Sequence, residues 1–135
     1  MKMMVVKQFK FESAHFLPEY DGKCNNVHGH SYSLQIGIQG DVDDKTGMVM
    51  DFSQLKEIVS QEVVDILDHS FLNDLKSEPG ELGINFPWAM PTAENMVRWI
   101  VQRLKTRWDR MREDGEIALV RLWETSTSYA EWRKQ

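Results

Sequence analysis

The sequence predicts an α+β chain in which two helices pack on one face of an antiparallel sheet. Three observations carry that reading. Residues 4–15 and 30–40 alternate apolar and polar side chains, the period of half-buried antiparallel strands. Two later stretches carry apolar residues at helical spacing, each opened by a capping signal. A final alternating run, residues 116–125, returns the chain to the sheet.

In the first strand Val5, Phe9, Phe11 and His15 share one side. In the second, Tyr32, Leu34, Ile36 and Ile38 alternate with Ser31, Ser33, Gln35, Gly37 and Gln39. Residues 40–47 are turn chemistry, and residues 48–52 are expected as a short strand or bridge. Asp51, with Gln54 three residues on, has the form of a capping box. The helix behind it carries Leu55, Ile58, Val59, Val63, Ile66 and Leu67 on one stripe. Residues 77–91 hold three prolines and two glycines and read as a long loop, of a length that often carries function. Thr92 is the expected N-cap of the second helix, whose buried face is Met96, Val97, Ile100, Val101, Leu104 and Trp108; Asp114-Gly115 ends it. Residues 128–132 add a short edge. The order is β-β-(β)-α-α-β, expected as one domain over residues 1–135.

A net charge of −5 disfavours a nucleic-acid surface. The single cysteine excludes an intramolecular disulfide and fits a reducing compartment. Residues 1–10 lack the apolar core of a signal peptide, and no run approaches the ~18 apolar residues of a membrane span. The expected address is the cytoplasm, with no membrane or nucleic-acid partner.

The histidines carry the chemistry. His28 and His30 follow the cysteine in Cys24-Asn25-Asn26-Val27-His28-Gly29-His30, and share the parity of Leu34, Ile36 and Ile38. His15 ends the first strand, on the side of Phe9 and Phe11. An antiparallel hairpin therefore brings all three imidazoles to one mouth of the core. A single histidine is more often a packing residue, but one metal ion satisfies three convergent ones together. Imidazole-only ligation points to zinc with a position left open. Cys24 stands as a fourth ligand, which would close the site into a structural one, or as a thiolate base beside it. An inert loop thiol is the third option.

Asp68-His69 follows the first helix. His69 is either a partner of the helix dipole or one half of a proton-transfer pair with Asp68; with Cys24 the pair would form a Cys-Asp-His relay. Glu124 shares the parity of Ala118, Val120 and Leu122, where a carboxylate needs a partner, but Ile117, Leu119 and Trp123 form a competing stripe that would turn it to solvent. Thr92 and Glu94 fit helix-start chemistry. The run Arg103, Lys105, Arg107, Arg110 and Arg112, interleaved with acids, reads as a solvated helix face.

Phe11-x-x-Ala14-His15, Cys24-x-x-x-His28-Gly29-His30, Asp68-His69-x-x-Leu72-Asn73, Pro91-Thr92-x-Glu94-Asn95 and Glu124-Thr125 together resemble the 6-pyruvoyl-tetrahydropterin synthase superfamily. The match runs in order from Phe11 to Thr125. The resemblance implies the tunnelling (T) fold, oligomerising into a β-barrel, with two trimers stacked into a homohexamer and active sites between subunits. It implies zinc on His15, His28 and His30, Cys24 as base or nucleophile with Asp68 and His69 as its relay, Glu124 anchoring the pterin ring, and Thr92 adding a contact to it. Two branches share the substrate 7,8-dihydroneopterin triphosphate. One eliminates triphosphate to give 6-pyruvoyl-tetrahydropterin. The other gives 6-carboxy-5,6,7,8-tetrahydropterin, acetaldehyde and triphosphate on the way to queuosine and related 7-deazapurines. The short spacing from Cys24 to His28 is similar to the carboxy-forming bacterial enzymes. Residues 77–90 depart from compact members and carry Trp88, expected to cover the pocket mouth or alter subunit packing. A zinc-stabilised binding module without chemistry is the alternative of another class.

Overall fold

The first two alternating segments pair along their whole length. In a computed structural model, which describes residues 1–76, 86–111 and 115–135, β1 (Lys2–His15) and β2 (His28–Asp41) run antiparallel from Lys2 opposite Asp41 to His15 opposite His28. β4 (Glu116–Trp123) pairs antiparallel with β2, and β5 (Tyr129–Arg133) with β4. β3 (Ser70–Phe71) lies on the other side of β1, giving the order β3-β1-β2-β4-β5.

β3 corrects the expectation of a purely antiparallel sheet, because it runs parallel to β1. It enters from a helix, and a hook on Glu12 sets its direction: the Asp68 carboxylate accepts the Glu12 N–H at 2.9 Å, and the His69 N–H donates to the Glu12 carbonyl at 2.6 Å. Residues 48–52 form no strand. Residues 48–51 are a bent link that drops Met50 into the core and delivers Asp51 to cap the helix opening at Phe52, through Ser53 N–H at 2.7 Å.

That helix is interrupted. α1 (Phe52–Val59) passes through a π-helical turn (Ser60–Val64) into α2 (Asp65–Leu67). The cause is legible in the stripe. Leu55, Val59, Val63 and Leu67 recur every fourth residue, a spacing that drifts around an α-helix of 3.6 residues per turn. The wider π turn takes up the drift, and all four side chains are 0% exposed. Arg103 and Arg107 of α3 (Ala93–Met111) clasp Glu62 on this turn at 3.0 and 3.2 Å. The end of the second helix at Asp114 and the rest of its basic run, Arg112, lie outside the described residues, as do residues 77–85 of the long loop.

β4 resolves its two competing stripes with a bulge. Gly37 faces Leu119 and Ile38 faces Ile117, so Ala118 is the extra residue. Ile117 joins the core before the bulge, Val120 and Leu122 after it. The core fills the space between sheet and helices, with Leu34, Ile36, Leu104 and Ile100 among its fully buried members. Each such side chain contributes roughly 1.5–3 kcal/mol by leaving water. Trp88 is part of this core and meets Trp99 edge-on at 4.9 Å; most of the 77–90 segment, expected to cover the pocket mouth or alter subunit packing, lies outside the described residues. No described helix is long and apolar enough to cross a membrane.

Candidate metal centre

Register places the three histidines. His15 and His28 face each other across the β1–β2 ladder and His30 lies opposite Ser13, so the rings meet at centroid distances of 4.7, 5.0 and 4.8 Å. One donor atom from each falls within 4.8 Å of the others, and the three can hold a metal ion. Tyr32, stacked on Phe11 at 4.9 Å, floors the cluster, and its hydroxyl lies 3.4 Å from His15 Nδ1.

The hydrogen bonds fix what the rings present. His15 Nδ1 lies 2.9 Å from the Pro91 carbonyl oxygen, and His28 Nδ1 lies 2.7 Å from that of Asn26. A carbonyl only accepts, so each Nδ1 carries the hydrogen and each neutral ring turns an Nε2 lone pair inward. Those two Nε2 atoms stand 3.1 Å apart. Two lone pairs at that distance repel unless a cation lies between them. His30 Nε2 is buried with no hydrogen-bond partner among the described residues. A metal ion answers all three atoms, and backbone carbonyls on the outer nitrogens are the usual second layer of such a site. Burial lowers the His15 pKa to about 4, with the Pro91 carbonyl opposing and the neighbouring rings adding to the effect. Burial likewise lowers that of His30, against the pull of Glu124. Both rings are therefore neutral at neutral pH, the form in which an imidazole can ligate a metal.

Glu124 turns inward. Its Oε1 stands 3.5 Å from both His15 Nε2 and His30 Nε2, and it also lines a groove of about 500 Å³ between α3 and β5 with Ala93, Arg98, Tyr129 and Trp132. The carboxylate thus stands against the histidines and also lines this groove. The Tyr32 hydroxyl is pushed upward in pKa by burial and by Glu124, and stays protonated.

Asp68 and His69 form the expected pair, His69 Nδ1 lying 3.0 Å from Asp68 Oδ1. The Glu12 N–H and then the His69 ring hold the Asp68 carboxyl below the usual range. His69 adopts the left-handed backbone region, φ +58°, with its side chain 80% exposed. It lines an open groove of about 540 Å³ together with Glu12, Gly29, His30 and Phe71, so His69 and one cluster histidine share a surface.

Cys24 sits half-buried on a 3-10 turn (Lys23–Asn25), pinned by its carbonyl to the Leu17 N–H at 2.7 Å. It is outside the three-histidine grouping, and among the described residues no hydrogen bond joins its thiol to Asp68 or His69. Thr92 caps α3, its hydroxyl accepting the Asn95 N–H at 3.1 Å. Residues missed by reading the sequence alone include Pro91 and Asn26, which act through backbone carbonyls that no side-chain pattern reveals. Asn73 grips both Phe16 N–H (3.0 Å) and C=O (2.9 Å), holding the chain just beyond His15.

The α+β sheet thus carries a three-histidine cluster able to hold a metal ion at the end of its central hairpin, with a carboxylate against it and His69 of the Asp-His pair on an adjoining groove. Comparison with known proteins gives the family. The model of the 6-pyruvoyl tetrahydropterin synthase family matches residues 4–135, and the chain belongs to that family. A 6-carboxy-5,6,7,8-tetrahydropterin synthase of Haemophilus influenzae is 38% identical, over 96% of this chain and 98% of that protein. One of Aquifex aeolicus is 32% identical over the whole of both. A 6-pyruvoyl tetrahydrobiopterin synthase of Dictyostelium discoideum is 34% identical over 83% of this chain and 74% of its own. The structure of Caenorhabditis elegans 6-pyruvoyl tetrahydropterin synthase superposes with a TM-score of 0.79 at 26% identity, covering 100% of this chain and 97% of that one.

Proposed function

We propose that this chain is a zinc-dependent carbon–carbon lyase, a 6-carboxytetrahydropterin synthase. It would convert 7,8-dihydroneopterin triphosphate to 6-carboxy-5,6,7,8-tetrahydropterin, acetaldehyde and triphosphate, in queuosine and 7-deazapurine biosynthesis. The observation that carries a metal-assisted reading is the pair of facing Nε2 lone pairs at 3.1 Å beside a third buried Nε2 without a hydrogen bond among the described residues. The carboxy branch rests on the short Cys24-to-His28 spacing and on relatives such as those of Haemophilus influenzae and Aquifex aeolicus, which bear that name over nearly their full length.

His15, His28 and His30 would hold the zinc. When bound, it would act as a Lewis acid that lowers the pKa of a substrate side-chain hydroxyl. Glu124, at the mouth of the α3–β5 groove, would accept hydrogen bonds from the ring N–H and amino groups of the pterin and so orient it. Cys24 would act as the base that takes the proton from the side-chain carbon, and His69, steered by Asp68, would move it. His69 and Cys24 are not joined within one chain, which fits a relay completed between subunits of a homohexamer, two trimers stacked on a shared barrel. Thr92 would add a contact to the ring, and Lys23, exposed beside Cys24, is a candidate for the triphosphate.

The 6-pyruvoyl branch is the second reading, favoured by the Dictyostelium discoideum relative. The test is to strip the full-length protein of metal, restore zinc, supply 7,8-dihydroneopterin triphosphate and identify the pterin by chromatography. The 6-carboxy product, lost on stripping and restored by zinc, is expected. The 6-pyruvoyl product overturns the branch, and no turnover by the zinc-loaded protein overturns the enzyme assignment for this substrate. A closed structural site, the binding-module alternative, requires Cys24 as fourth ligand, and Cys24 lies outside the cluster.

A further inference from the structure

We propose that Asn95 is a positioning residue for the histidine cluster, acting on His15 through the backbone of residues 90–92. The chain of contacts is short. Asn95 Nδ2 donates to the Met90 carbonyl at 2.9 Å, and the same carbonyl accepts the Thr92 N–H at 2.9 Å. In a trans peptide the N–H and the C=O of one unit point in opposite directions. Thr92 N–H turned toward Met90 therefore turns the Pro91 carbonyl away from it, onto His15 Nδ1 at 2.9 Å. The ring of Pro91 fixes its own φ, so the unit can swing only through ψ of Pro91 and φ of Thr92, which the Thr92 N–H bond to Met90 restrains.

Both ends of the turn are anchored. Upstream, the Met90 N–H donates to the Pro87 carbonyl at 2.9 Å and Trp88 is packed in the core. Downstream, Thr92 opens α3 through the Met96 N–H to its carbonyl at 2.9 Å. Between them the Pro91 carbonyl is held by the side chain of His15, and the Met90 carbonyl by that of Asn95. Its amide orientation is set independently, because Arg98 Nη1 faces Asn95 Oδ1 at 3.5 Å and leaves the NH2 for Met90. The result at the cluster is a single His15 tautomer, with hydrogen on Nδ1 and the Nε2 lone pair aimed at His28. Thr92 and Asn95 thus have work at the metal centre beyond starting a helix. This inference rests on the metal reading for its affinity readout and stands apart from it for its tautomer readout.

The test uses full-length protein and two variants, Asn95→Asp and Asn95→Ala. Asn95→Asp keeps the shape and the acceptor facing Arg98, and an acid in the first turn suits the helix dipole, but it has no N–H for Met90. Zn2+ affinity is measured by competition with a chromophoric chelator. His15 is followed in the metal-free protein by 15N chemical shifts, and thermal melting is recorded. The expected result for Asn95→Asp is a melting temperature close to the parent's, about tenfold weaker Zn2+ binding, and His15 shifts that move from pure Nδ1-protonated toward a tautomer mixture. Asn95→Ala gives the same two changes with a lower melting temperature. Parent-like Zn2+ affinity and parent-like His15 shifts in Asn95→Asp overturn the proposal, as does a loss of affinity that appears only in Asn95→Ala and in step with its melting. If the parent protein binds no Zn2+, the metal reading fails, and the His15 shifts alone decide the positioning claim: unchanged shifts in Asn95→Asp overturn it.

Discussion

At His15 and His28 the outer nitrogen of each ring is committed to a carbonyl, so the inner nitrogens can only accept. Strand parity alone was enough to bring these rings together with His30, because the side-chain period of a strand is fixed by its backbone. The tautomers were beyond it, since they depend on carbonyls from Asn26 and Pro91, the second 76 residues away from His15. Two predictions belong at this scale. Cys24→Ala should keep its zinc, measured by elemental analysis, and its fold, while turnover falls by a factor on the order of 10²–10⁴ for a lost general base; loss of zinc instead would make Cys24 a ligand. Glu124→Gln should also keep zinc, but it removes the negative acceptor and should raise the KM for the pterin substrate about tenfold or more, the scale of one charged hydrogen bond. Steady-state kinetics checks it.

Among the elements, the end of β1 is where the sequence motifs and the fold meet. Asp68 holds Glu12, and Asn73 holds Phe16, so the Asp-His-x-x-Leu-Asn segment clamps the strand on both sides of His15. Asn73→Ala leaves the Phe16 N–H and C=O unpaired in a half-buried place, and should destabilise the protein by about 1–3 kcal/mol. Denaturant unfolding measures this directly, and a change within error would show that water replaces the clamp. The two long strands and both helices were legible as periods in the sequence. The bulge at Ala118 was not, because one inserted residue flips parity midway and makes two stripes look equally good. β3 was hidden for a different reason: two residues are too few to show a period. The π turn was visible only as a four-residue spacing that an α-helix cannot hold on one face.

For the molecule as a whole, the cluster couples metal, pH and stability. His15 has a pKa of about 4 in the folded protein against an ordinary 6.5, and that of His30 is lowered too. Between those values the unfolded chain binds protons that the folded one refuses, so stability rises with pH there. The metal-free protein should therefore hold full stability above about 6.5 and lose it progressively as pH falls toward 4, an effect on the order of 3 kcal/mol for His15. Urea midpoints across that range would show the decline, and a flat profile would mean the rings are already charged in the fold. Assembly into a barrel is implied by the family resemblance alone and would lie in contacts between chains. Function, by contrast, is decided by one count. Full-length, zinc-loaded protein given 7,8-dihydroneopterin triphosphate should release one acetaldehyde for each triphosphate as the 6-carboxy pterin accumulates. Triphosphate released without acetaldehyde would contradict the account.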